Sequence, residues 1–304
     1  MQALPWSDFR DELVQSYVAD RRAKKTITKL KQVFRELGEF VTATADLDVR
    51  VIQRWKLANL DREPITFNGL LGYARAIANH AVTLGYLDRS PFVGVRYRLR
   101  AKKSRKRKHL SREEIGKLLT YLESKHQETW KAGRLHALAM LLAHTGLRAM
   151  EALKLRVEDV DLERGLVDLV ARDALKTAAS EATIPLAPAV LPCLADWSSR
   201  CGSTWLFPGS RRNGPWIHGS NGKRPADELD EAGLAAGLPA GTNLHMLRHT
   251  AATHLRNGFE LSALEVQQLL RHTTVLTQSH YCHADMAHLQ GRVSRVDFRQ
   301  ALAL

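Results

Sequence analysis

The chain has 304 residues, about two domains' worth, and its 44% hydrophobic and 25% charged residues exclude a disordered composition. Lysine and arginine number 45 against 32 aspartates and glutamates, a formal net charge of +13 that points to a polyanion, either nucleic acid or an anionic membrane face. The most apolar stretch, residues 135–147, is shorter than the ~20 residues of a membrane span and holds His136 and His144, which argues against the membrane.

Apolar residues recur at three- and four-residue steps through Trp6, Phe9, Leu13 and Tyr17, and again through Ile27, Leu30, Phe34, Leu37 and Val41, which predicts two helices. Asp46-Leu47-Asp48 opens a third with Val51, Ile52 and Trp55. A fourth runs from about Thr66 to Leu84, with Gly85 as its C′ residue. Residues 1–95 thus read as a small helical domain. Lys24, Lys25, Lys29, Lys31 and Arg35 cluster around the second helix, on a face that suits solvent and DNA equally. Charge then concentrates abruptly. Residues 96–109 (RYRLRAKKSRKRKH) hold nine basic residues, Arg96, Arg98, Arg100, Lys102, Lys103, Arg105, Lys106, Arg107 and Lys108, and no acid. Like charges in a row repel one another and resist packing into a core. The stretch reads as an inter-domain linker that orders only against phosphates; a solvated tether and a localisation signal are the other uses of such a run.

Residues 110–304 read as a mixed domain. Ser111 and Glu114 form a capping box. Residues 135–143 form an apolar helix broken by Gly146, and a further helix starts near Arg148. Two strands, residues 165–171 and 182–186, flank a loop holding Asp173, Lys176 and Ser180. Pro188 opens the next helix, residues 205–208 are extended, and residues 209–222 form a Gly-rich loop. Helices are expected at about 224–236, 244–257, 261–270 and 276–283.

Three blocks carry candidate chemistry. In the first, Thr242 or Asn243 caps a helix that places His245, Arg248 and His249 at i, i+3 and i+4 near its N-terminus, where the helix dipole and free N–H groups favour anions. A packed His249 and a surface His245 would leave the same pattern. In the second, His144-Thr145-Gly146-Leu147-Arg148-Ala149-Met150-Glu151, the glycine break sets Arg148 at a helix start with Glu151 one turn on. The planar arginine fork suits phosphate, although a plain Arg–Glu surface pair would read alike. In the third, residues 269–283 (LLRHTTVLTQSHYCH), Thr273 or Thr274 caps a helix that delivers Tyr281 two turns later. Read alone, Tyr281 is as easily a half-buried packing residue and Lys176 a solvated one. His280, Cys282, His283 and His288 crowd together without zinc-ligand spacing. Cys193, Cys201 and Cys282 give no disulfide framework. No metal and no cofactor are expected. Asp8, Arg10, Asp11 and Glu12 interrupt any signal-peptide pattern, so a cytoplasmic, nucleoid-associated protein is expected.

Taken in order, Arg148 in HTGLR, Lys176 in a β-hairpin, His245 and Arg248 in HxxRH, His272 in LLxH and Tyr281 nine residues on resemble the signature of the tyrosine recombinases, the phage-integrase family. The resemblance covers essentially the whole chain. Ser90-Pro91-Phe92, the basic stretch and LSREEIGKLL at 110–119 resemble that family's junction between core-binding and catalytic domains, and residues 166–186 resemble its catalytic hairpin. Three departures stand out: Arg271 where glycine is usual, Glu181 where the hairpin often carries a basic residue, and His280 where an apolar residue is common.

The resemblance implies a mainly α fold with a small β-hairpin sheet (α+β). It implies a helical, SAM-like core-binding domain over residues 1–95, the linker at 96–109 and a catalytic domain at 110–304, closing as a C-shaped clamp on double-stranded DNA with short inverted-repeat core sites. It further implies strand cleavage and rejoining by Tyr281 through a 3′-phosphotyrosine. Arg148, Arg248 and His272 would donate to the phosphate, His245 would accept the tyrosine proton, Lys176 would act as general acid, and Glu151 would support the basic residues. DNA contacts would come from the nine linker residues and from Lys24 and Lys25. A protein monomeric when free would assemble as a homotetramer on paired sites by handing residues 285–304 to a neighbour, with Val296, Phe298, Ala301 and Leu302 as the docking face, unless that segment folds back in cis. No arm-binding domain is expected before residue 7. A type IB topoisomerase and a non-catalytic DNA-binding protein are the alternatives.

Overall fold

The computed structural model describes residues 3–101, 109–170, 172, 181–217, 223–258, 263–271, 290–291 and 293–294. Lys102, Lys103, Arg105, Lys106, Arg107, Lys108, Lys176, His272 and Tyr281 lie outside the described residues, as do the helix expected at 276–283 and the docking residues Val296, Phe298, Ala301 and Leu302. The chain divides into two compact units, Met1–Arg105 and Lys106–Leu304.

In the first unit four helices follow the apolar spacing: α1 (Trp6–Ala19), α2 (Lys24–Leu37), α3 (Val49–Leu57) and α4 (Pro64–Thr83). Helix α2 packs against the other three. Trp6, Phe9 and Phe34 form an aromatic cluster, with ring centroids 4.9 Å apart for Trp6–Phe34 and 5.6 Å for Phe9–Phe34. The Trp6 indole donates to the Phe34 carbonyl at 2.9 Å, so its polar edge is satisfied in the core. Asp48 caps α3, accepting from Val51 N at 2.8 Å, while residues 44–46 form a 3-10 turn in place of an earlier helix start. Helix α4 begins at Pro64, whose fixed φ suits the first helical position. It ends on Gly85 at φ +77°, where Gly85 N donates to Val82 O and Tyr86 N to Ala81 O, the paired bonds of a left-handed helix stop.

The start of the basic stretch differs from its expectation of ordering only against phosphate. Tyr97 is buried, its hydroxyl donates to Pro91 O at 2.9 Å, and its ring lies 5.3 Å from that of Phe92. Asn68 grips Leu99 from both sides, donating to its carbonyl at 2.9 Å and accepting from its N–H at 2.8 Å. The reason is an alternation of period two. Tyr97 and Leu99 face inward while Arg96, Arg98 and Arg100 stay exposed, so the like charges never enter the packed side.

In the second unit α5 (Arg112–Lys125) opens with the capping box: Glu114 N donates to Ser111 Oγ at 3.2 Å, and Ser111 N to Glu114 Oε2 at 2.7 Å. Helix α6 (Trp130–Thr145) is the axis, buried from Gly133 through Thr145. It packs against α5, α7 (Ala149–Leu153), α8 (Leu191–Cys201), α9 (Pro225–Ala235) and α10 (Leu244–Gly258). Helix α11 (Ala263–Leu270) leans on α10. A helix buried all round needs no polar stripe, and Arg134 is the charge it admits. That guanidinium lies 3.3 Å from the Trp216 ring centroid, pairs with Glu228 at 3.2 Å and donates to Pro208 O at 2.9 Å.

Three strands, β1 (Val160–Asp161), β2 (Leu166–Leu169) and β3 (Ala182–Pro185), form an antiparallel sheet in the order β1-β2-β3. Val167 pairs with Val160 on one side and Ile184 on the other. The two expected strands are present but shorter, and β1 is additional: two residues turned back by Gly165 at φ +64°. Pro188 opens a 3-10 turn at Pro188–Val190, with α8 following it.

Candidate active site

Three turns of the second unit meet at one place. Helix α6 stops at Gly146, φ +63°, and the chain turns at once into α7, with Arg148 at its N-cap. A Cβ on Gly146 would lie 2.3 Å from Leu270 Cδ2, so only glycine lets this turn close against the end of α11. Helix α10 is capped by Asn243, whose Oδ1 accepts from Met246 N at 3.0 Å, and it carries Arg248 one turn in. Arg248 is 5% exposed and ties the other two turns together: Nη1 donates to Gly146 O and Nη2 to Leu270 O, both at 2.6 Å.

Arg148 lies beside it. Its Nη1 meets Glu151 Oε1 at 3.0 Å, its backbone N–H donates to Glu151 Oε2 at 3.0 Å, and its Nη2 donates to Arg271 O at 3.1 Å. The Arg271 guanidinium reaches the same carboxylate, donating from Nη2 to Oε2. Three cations therefore surround one carboxylate. Burial, then the like charges of Arg148 and Arg271, push the Arg248 pKa down to about 10, against the pull of Glu151. It stays protonated at neutral pH. Burial also lowers Arg271, with Glu151 opposing and Arg148 adding to the shift. Such a cluster of guanidinium donors is built to receive an anion.

His245 is exposed one turn before Arg248, its ring 4.5 Å from that of His249 in an edge-on contact. His249 is exposed as well, so it is not a packed core histidine. The structure thus brings Arg148, Glu151, Arg248 and His245 into two adjoining elements. Arg271, which precedes His272, sits directly against Arg148. In the first unit Lys24 and Lys25 are exposed at the start of α2, and Lys31 and Arg35 line a recess with Arg10 and Thr28.

Sequence reasoning noted Arg271 only as a departure from glycine and gave it no role. The available signal was a charged residue where glycine is usual, immediately before His272. It also missed the anchor of the second unit's first residues. Leu110 N donates to Thr250 Oγ1 at 2.9 Å, and His254 Nε2 to Leu110 O at 2.9 Å. Among the described residues no group of three His, Cys, Asp or Glu could hold a metal ion, and no helix is long and apolar enough to cross a membrane.

The model of the phage integrase family matches residues 108–288. The chain belongs to the phage integrase family. This integrase-family chain is 30% identical over 198 residues to tyrosine recombinase XerA of Pyrococcus furiosus, covering 64% of each chain. It is 29% identical over 279 residues to tyrosine recombinase XerC of Chromohalobacter salexigens, covering 87% of each. Its matches span 64% of the length of the first of these relatives and 45% of the length of tyrosine recombinase XerC of Xanthomonas campestris, less than two thirds of either. Among solved structures it is similar to the Tn1549 transposon integrase in complex with a circular intermediate DNA, with a TM-score of 0.70, 15% identity, and 99% of this chain and 98% of that one covered. It is also similar to a lambda integrase tetramer bound to a Holliday junction, with a TM-score of 0.67, 17% identity, and 93% and 81% covered. The fold is accordingly that of the integrases: mainly helical, with a small antiparallel sheet in the second unit.

Proposed function

We propose that this integrase-family protein is a site-specific DNA recombinase that cleaves and rejoins strands through a 3′-phosphotyrosyl intermediate on Tyr281. The observation that carries the reading is the convergence of Arg148 and Arg248 from separate turns, both bonded to the end of α11, from which the chain runs on to His272 and Tyr281. Phosphoryl transfer concentrates negative charge on the non-bridging oxygens, and fixed cationic donors stabilise it. Arg248 spends one hydrogen of each terminal nitrogen on a carbonyl and keeps the second on each for an anion. Arg148 and His272 add donors, and Glu151 orients Arg148. A phenol of ordinary pKa near 10 needs a proton acceptor, and the exposed His245 takes that role. Lys176 returns a proton to the leaving 5′-oxygen. The Tyr281 oxygen bonds to phosphorus as the 5′-oxygen leaves, so one ester replaces another. The bond energy is conserved without ATP, metal or cofactor.

The partner is double-stranded DNA with short inverted-repeat core sites, bound by a core-binding domain (residues 1–95) and a catalytic domain (110–304). Lys24, Lys25 and the linker cations at 96–109 lie on the backbone. A homotetramer on paired sites, joined by exchange of residues 285–304, acts in the cytoplasm on the nucleoid. The test is incubation with a nicked duplex drawn from the DNA flanking the gene, followed by a denaturing gel. A covalent protein–DNA adduct is expected, and it disappears in Tyr281→Phe. An adduct that survives that substitution rules out the nucleophile.

A further inference from the structure

Arg271 ends α11 at φ +50°, a backbone conformation that glycine adopts freely and a Cβ resists. Its side chain is folded inward, 13% exposed, with Nη2 on Glu151 Oε2. Glu151 is therefore held on both oxygens, Oε1 by the Arg148 guanidinium at 3.0 Å and Oε2 by Arg271 together with the Arg148 backbone N–H at 3.0 Å. With glycine at 271, Oε2 would keep only the Arg148 backbone N–H, and the carboxylate could turn to take the Arg148 fork on both oxygens, the stronger two-bond pairing. Arg148 and Glu151 would then neutralise each other, leaving Arg248 as the unmatched charge of the cluster.

Resting on the recombinase reading, we propose that Arg271 is a positioning residue: it engages the second oxygen of Glu151, so that Arg148 is oriented by the carboxylate without being consumed by it and keeps donors for the scissile phosphate. A third cation also leaves the cluster with an excess of positive charge that glycine would halve.

The first test needs no DNA substrate. Inorganic phosphate is titrated into the full chain and the rise in Tm is followed; Arg148→Ala supplies the background from basic residues elsewhere. The site-specific part weakens about tenfold in Arg271→Gly, the scale of one hydrogen bond to a charged group. It is largely retained in Arg271→Lys. It returns in the double variant Arg271→Gly/Glu151→Gln, because the competing negative charge is gone. Arg271→Gly also relieves the left-handed backbone, so the variant folds. Unchanged phosphate affinity in Arg271→Gly, or a double variant no better than the single one, overturns the inference.

The same variants in the nicked-duplex assay separate the two readings. A slower adduct in Arg271→Gly at unchanged DNA affinity supports both. The phosphate pattern without any adduct from the unsubstituted protein removes the recombinase reading alone. An adduct formed by Arg271→Gly at the unsubstituted rate removes the role of Arg271 alone.

Discussion

Arg134 and Arg248 are both buried in the second unit, and burial pushes both guanidinium pKa values down to about 10, yet their neighbours differ in kind. Arg134 faces a carboxylate, Glu228, and the rings of Trp216 and Trp130. Its charge is matched on the spot, and Glu228 is itself held above the usual carboxylate range by burial. Arg248 bonds two carbonyl oxygens, and two further guanidinium groups share the single carboxylate near it, Glu151. Carbonyls satisfy its hydrogens without cancelling its charge. A buried cation opposite a carboxylate ties a core together; one held by carbonyls beside other cations does that and keeps a field to offer an anion.

The contrast can be broken from either side. The largest effect is expected at Arg134. Arg134→Ala leaves Glu228 largely buried without its hydrogen-bonded partner and is expected to lower stability by about 3 kcal/mol in urea denaturation. Phosphate-dependent stabilisation should be unaffected in the folded fraction. Replacing both partners, as Arg134→Met with Glu228→Leu, is expected to recover most of that loss.

At the other arginine, Arg248→Lys keeps a charge but cannot bridge Gly146 O and Leu270 O as a planar fork. Adduct formation is expected to fall about 10²–10³-fold, the scale seen when one preorganised oxyanion donor is removed. DNA binding should change far less, and single-turnover kinetics against a binding titration would show the split.

Gly146→Ala tests the turn that Arg248 holds. The added methyl meets Leu270 and forces a left-handed alanine, so about 2–4 kcal/mol of stability should be lost. Adduct formation should fall with it.

The smallest effect is expected at His254. Burial holds its pKa below the ordinary value, with the Leu110 carbonyl opposing and the neighbouring Arg112 and His109 adding to the shift. The unfolded chain therefore takes up the proton first. Stability from this group is complete above about pH 6.5, the unfolded value, and is lost as the pH falls from there through the lower pKa of the folded protein. His254→Gln keeps a donor for Leu110 without titrating, so the stability–pH curve between pH 7 and 5 should flatten.

Much of this architecture was legible in the residues. The first unit's helices follow from three- and four-residue apolar spacing, and two of their ends from Asp48 and Gly85, while α4 opens at Pro64, two residues before the start expected near Thr66. The capping box before α5 and the glycine stop of α6 were readable for the same reason: each is a local bond with its own residue types. Strand β1 was not, because two residues carry no periodicity and the strand exists only by pairing with β2. Tyr97 and Leu99 were masked by the charge around them, although their alternation with arginines was visible. At the site, Arg148, Arg248 and Glu151 were found by motif order. That Arg248 spends its fork on backbone carbonyls depends on two turns more than 100 residues apart in sequence, and no local pattern encodes that. Arg271 looked like a deviation because its side-chain role depends on where Glu151 sits.

The latch at Leu110 has a mechanical consequence. Leu110 is fastened at Thr250 and His254, which lie on α10, the same helix that carries His245 and Arg248. A pull applied at Leu110 is thus borne by that helix within two turns of the Arg248 fork. Load and chemistry share one helix.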